Sequence, residues 1–163
     1  MSNNIECPAC GEEKRRRNDH LVCSSCYQAY RAETAQALVK GKGEVVSLSD
    51  WVLVRASALL ERRKGELEGE RAKFLHLQKE VHDEAFQRIQ KSLGMRRVNR
   101  EIFCHALQKI KEEVWSERGG HRLFAEMKDR EKSVEFLTSV IEEIRRRRSS
   151  SSSSQQTSGL PKP

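Results

Sequence analysis

"SDWVLVRASALLERRKGELEGERAKFLHLQKEVHDEAFQRIQKSL", Ser49–Leu93, decides the fold class. It holds no proline and no convincing stop before Gly94, and Ser49 with an acid behind it suits a helix N-cap. Unbroken, it would be one helix of about 65 Å. Its apolar pattern is uneven. Trp51–Leu60 is strongly apolar, and Phe74, Leu77, Val81, Ala85, Phe86, Ile89 and Leu93 make a broad stripe. Between them "ERRKGELEGERAK" offers Leu67 as its only large apolar residue, flanked by Gly65 and Gly69. Each glycine weakens a helix by about 1 kcal/mol. The span reads as one continuous but flexible helix.

Working towards the C-terminus, "GMRR" ends this segment and a second helix is expected from about Val98 to Arg118. Phe103, Leu107, Ile110 and Val114 follow a 4-3-4 spacing, a coiled-coil-like seam. Gly119-Gly120 breaks it. A third helix, about His121 to Arg148, repeats the pattern with Met127, Val134, Leu137, Ile141 and Ile144. Breaks this short favour antiparallel neighbours. The fold class is therefore mainly α, with helices at about 49–93, 98–118 and 121–148 in an elongated antiparallel helical hairpin or three-helix arrangement. Cys104, beside Phe103, is expected to be a buried, inert thiol. The Ser-rich end, residues 149–163, is low-complexity and expected to be disordered.

Working towards the N-terminus, four of the five cysteines fall in "CPACGEEKRRRNDHLVCSSC", Cys7–Cys26. Cys7/Cys10 and Cys23/Cys26 are two C-x-x-C pairs with twelve residues between them. Each pair aims two sulfurs at one point from a tight turn, and two pairs at this spacing supply the tetrahedron of thiolates that zinc prefers. A disulfide framework would suit a secreted chain, but the first ten residues hold no apolar run of the signal-peptide kind. A redox C-x-x-C needs one pair beside a strand–helix pattern. His20 is read as a surface residue, since four cysteines already close the shell. One structural zinc ion on Cys7, Cys10, Cys23 and Cys26 is expected.

After Cys26, "CYQAYRAETAQALVKGKG" is rich in helix formers and ends in Gly41 and Gly43. Tyr27, Tyr30 and Ala37–Leu38 form a candidate apolar stripe over the metal. A "CPACG" knuckle, a short hairpin in the intervening segment and a helix at the second C-x-x-C resemble the treble-clef class of zinc fingers, from Cys7 to about Lys40. That resemblance implies a structural zinc; the class serves nucleic-acid binding, protein binding and architecture alike. The expected organisation is a zinc finger with its following helix (1–46), a charged helical region (47–148) and the tail (149–163).

The chain has 163 residues, 36% hydrophobic and 34% charged, with a formal charge of +7. Those proportions argue against a large globular core. No stretch has the length of a transmembrane helix, so the chain is expected to be intracellular, cytoplasmic, or nuclear if eukaryotic. Positive charge gathers in Lys14–Arg17, Arg62–Lys64, Arg96-Arg97 with Arg100, and Arg145–Arg148. No Gly-rich phosphate loop, paired carboxylates or nucleophile with a placed base stands out, so no enzyme is expected. Two functions of different class fit. In the first, the protein binds nucleic acid or a nucleoprotein machine (ribosome or RNA polymerase) through Lys14, Arg15, Arg16 and Arg17, with Arg96, Arg97 and Arg100 as a second anchor and the helices as spacer. In the second, it is a helical, coiled-coil-like adaptor with a zinc clip, binding a protein partner or a second copy through its apolar seams.

Overall fold

The structure, a computed structural model, describes residues 4–15, 21–40, 46–93 and 99–153. It is mainly helical. Two short strands, β1 (Asn4–Glu6) and β2 (Glu13–Arg15), pair antiparallel with Ile5 opposite Lys14, and four helices follow. These are α1 (Ser24–Val39), α2 (Leu48–Leu93), α3 (Arg100–Glu117) and α4 (Gly120–Ser153). Among the described residues no helix is long and apolar enough to cross a membrane.

Helix α2 runs unbroken through the charged span and through Gly65 and Gly69. Its cap is Ser47, not the expected Ser49. Ser47 Oγ accepts from the Asp50 amide at 3.1 Å, an N-cap bond, and donates to the Asp50 carboxylate at 2.7 Å. Asn99 caps α3 by accepting from the Glu101 amide at 2.9 Å. Gly119, at φ +71°, takes the left-handed position that ends α3.

The chain packs as two units, Met1–Lys64 with Ser133–Pro163, and Gly65–Lys132. In the first, two apolar layers lie in series. Cys7, Val22, Cys23, Trp51, Val52 and Ile144 form one, and Ala56, Leu59, Leu60, Leu137 and Ile141 the other. Asp50 and Arg148 pair beside the first layer. In the second unit Leu67, Val81, Ala85, Ile89, Val114 and Met127 are buried. Phe74 meets Trp115 edge-on at 5.4 Å and Phe124 at 5.9 Å. Ion pairs rim it: Arg118 with Glu80 and Glu84, Arg88 with Glu84 and Glu117, and Arg130 with Glu66 and Glu70.

Three expectations are corrected. Cys104 is exposed, because it lies one residue, about 100° of helical rotation, off the Phe103–Leu107–Ile110–Val114 seam. Phe86 is 40% exposed; Ala85 and Ile89 take the inward positions of the stripe. The serine segment is not unstructured from residue 149: α4 continues to Ser153, with Ser149 and Ser150 hydroxyls donating to carbonyls one turn back. Residues 154–163, like Gly41, Gly43 and His20, lie outside the described residues.

Candidate metal centre

The first C-x-x-C forms the turn of the β-hairpin. The strands flank Cys7–Cys10, whereas the sequence pattern puts the hairpin in the interval between the two pairs. The knuckle is closed by backbone bonds: Cys10 N–H and Gly11 N–H both donate to the Cys7 carbonyl, at 3.3 and 2.7 Å, and Cys7 N–H donates to Glu12 O at 3.1 Å. Gly11 sits at φ +73°, and a Cβ there would lie 3.2 Å from a Leu59 methyl and 3.3 Å from the Arg63 guanidinium. Glycine is needed for the conformation and for the close approach of α2.

The second pair sits at the N-terminus of α1. Cys23 is the N-cap residue, in extended conformation, and its amide donates to Cys7 Sγ at 3.4 Å. Cys26 falls in the first turn. The orphan amides and positive dipole end of a helix favour anionic sulfur there.

All four sulfurs lie within 4.8 Å of one another, and Cys10 Sγ and Cys23 Sγ are 3.9 Å apart. A tetrahedron with metal–sulfur bonds of about 2.3 Å needs sulfurs about 3.8 Å apart. A disulfide needs about 2.05 Å, and all four cysteines are free thiols. Burial pushes the thiols of Cys10 and Cys26 up, and at Cys26 the hydrogen bond with Cys23 adds to it. At Cys23 burial acts in the same direction but is outweighed by the Cys26 amide and the neighbouring thiols, which hold it down. Four thiolates so close repel one another; a divalent cation among them offsets that repulsion. The group can hold one metal ion, and four protein sulfurs leave a four-coordinate ion no open position.

The site is fastened to its own unit by long-range contacts. Ser133 of α4 donates to the Glu6 carboxylate at 2.8 Å, with Arg63 of α2 at 4.0 Å. On the other side Glu33 of α1 accepts from the Trp51 indole at 2.7 Å and from Arg55 at 2.6 Å, and the Arg55 guanidinium lies over the Trp51 ring. Tyr30 meets Trp51 edge-on at 5.8 Å and donates to Val46 O at 3.0 Å. Tyr27 and Tyr30 pack on the cluster as expected, but Leu38 is exposed and does not. Sequence reasoning does not find the roles of Glu6, Glu33 and Ser133; only the three-dimensional fold brings them to the site.

The basic residues give less. Lys14 and Arg15 lie on β2 rather than at a hairpin tip, which the Pro8–Gly11 knuckle occupies. Their side chains, and Arg16, Arg17, Arg96 and Arg97 entirely, lie outside the described residues. Arg100 is exposed at the first position of α3. Arg146 and Arg147 pair with Glu143 one turn back, more than a turn inside α4 rather than at its end. Comparison with known proteins adds no relative: no protein-family model, no curated protein and no solved structure matches the chain.

Proposed function

We propose that the chain is a non-catalytic protein, stabilised by one zinc ion on Cys7, Cys10, Cys23 and Cys26, that binds nucleic acid or a nucleoprotein machine such as a ribosome or RNA polymerase. The observation that carries this reading is the cluster of four cysteine sulfurs within 4.8 Å, two of them supplied by a hairpin whose second strand bears Lys14 and Arg15. An all-sulfur tetrahedral set suits zinc among common ions. A treble-clef-like knuckle followed by a helix is the kind of small scaffold that holds arginines in place, reducing the entropy lost when they meet phosphate. Arg71, Arg88, Arg118 and Arg130 have glutamate partners and are poorer candidates for phosphate. The contacts are assigned to Lys14, Arg15, Arg16 and Arg17, with Arg96, Arg97 and Arg100 as the second anchor.

The helical-adaptor reading keeps one specific support: Leu75, Ile102 and Phe124 are 65%, 61% and 44% exposed. Salt dependence separates the two. Each phosphate contact adds about 0.9 to the slope of log affinity against log salt on duplex DNA and about 0.7 on single strands. Replacing Arg15, Arg16 and Arg17 with Gln should flatten the slope by roughly 2 to 3 units, similarly across sequences, with metal content and helicity unchanged. If the unaltered chain shows no salt-dependent binding to duplex DNA, duplex RNA or single strands, the nucleic-acid reading fails and the adaptor replaces it.

A further inference from the structure

We propose that metal binding latches an apolar layer of the helical core: the layer containing Trp51, Val52 and Ile144 is closed only while a metal holds the cysteine module over it, and metal release opens this layer alone. The inference rests on the metal reading of the four cysteines and goes beyond it by naming what the metal controls.

The layer is built jointly. The cysteine module contributes Cys7, Val22 and Cys23, with Leu21, Tyr27 and Tyr30 packed against them; α2 and α4 contribute Trp51, Val52 and Ile144, with Leu48, Leu53 and Val140 packed around. Trp51 is 8% exposed and Val52 fully buried. Taking the module away would uncover both.

The module cannot hold itself there. Its strands are three residues each, and α1 has no buried residue of its own. Two short strands and one helix whose apolar side chains are only partly buried do not fold unaided, and modules of this size take their stability from the metal. The polar fastenings are Glu33 with Arg55 and Trp51, Glu6 with Ser133 and, at 4.0 Å, with Arg63, and Tyr30 with Val46 O. The Glu33–Arg55 pair is about half exposed on both sides, and such pairs hold little.

The next layer is built by α2 and α4, and the module meets it at Gly11, which has no side chain and lies against Leu59. Ala56, Leu59, Leu60, Leu137 and Ile141, with Leu53, Val134 and Phe136 around them, all belong to α2 and α4. The opening therefore stops at that layer, leaving an apolar face on α2 and α4 in the metal-free chain. The cysteine site thus works as a metal-dependent cover over that face.

The two tryptophans report the two outcomes separately, since Trp51 lies in the latched layer and Trp115 in the Gly65–Lys132 unit. The full chain is prepared with Trp115→Phe and, separately, with Trp51→Phe. Zinc is removed with an excess of a colorimetric chelator, which counts its release. The expected result is a red shift and a severalfold rise in acrylamide quenching at Trp51, reversed by adding zinc, with Trp115 unmoved. Hydrogen exchange on the unaltered chain guards against a variant that misfolds. On zinc removal, amides of α1 should exchange at nearly the rate of unstructured chain, while those of α3 keep their protection. Complete zinc release with Trp51 and α1 unchanged overturns the latch. So does loss of protection in α1 and α3 together, which would be global unfolding. A chain that carries no zinc and takes none up overturns the metal reading itself, a result distinct from either.

Discussion

Glycines at four positions separate what a side chain can and cannot occupy. Gly120 opens α4 against the Trp115 ring, where a Cβ would overlap the indole. Gly120→Ala should displace Trp115 and destabilise by about 1–3 kcal/mol, seen as a lower urea midpoint and a shifted Trp115 emission. Gly11→Ala should also destabilise, by roughly 1–2 kcal/mol from its left-handed backbone alone. At Gly65 and Gly69, both inside α2, an added methyl would meet nothing within 4 Å. Alanine at either should stabilise by up to about 1 kcal/mol, read in the same unfolding experiment. The residue scale is also where the sequence is most legible. The four cysteines can be read because each pair is local and its spacing carries the geometry. Cys104 cannot, because a rotation of one residue decides burial, and neighbouring Phe103 sits on the seam while Cys104 does not.

At the scale of elements, α2, α3 and α4 can be read from apolar periodicity and from glycine breaks. The start of α2 is displaced because two serines compete for the cap, and Ser47 wins by having Asp50 three residues on. Ser47→Ala should cost about 1 kcal/mol, measured by thermal unfolding. The ion pairs that join α2 to α3 and its C-cap Arg118 are not legible, since their partners lie about thirty residues apart in the sequence. They make the pairing of α2 with α3 pH-dependent. Hydrogen bonds from Arg118 and then Arg88 hold the Glu84 carboxyl below its ordinary value. A carboxylate depressed in the folded state contributes stability above its unfolded value and loses it as pH falls through the folded one. Urea midpoints should therefore fall as pH drops through and below the ordinary carboxylate range. Glu84→Gln should remove its share of that fall while lowering the midpoint near neutrality.

At the scale of the molecule, the two C-x-x-C pairs are not an appendage to the helices. They share a buried layer with the start of α2 and the later part of α4, all within one of the two units of the chain. No periodicity within one segment could announce this, because the contact of Glu6 with Ser133 spans 127 residues. Everything proposed for the protein depends on a metal at that layer. The most direct test is elemental analysis with native mass spectrometry of the full chain, purified without added metal, together with alkylation of its cysteines. The account predicts one zinc per chain, Cys7, Cys10, Cys23 and Cys26 protected from alkylation until a chelator is added, Cys104 modified throughout, and loss of the zinc in Cys7→Ser and Cys26→Ser. A folded chain without metal, with all five cysteines modified at the same rate, would contradict it.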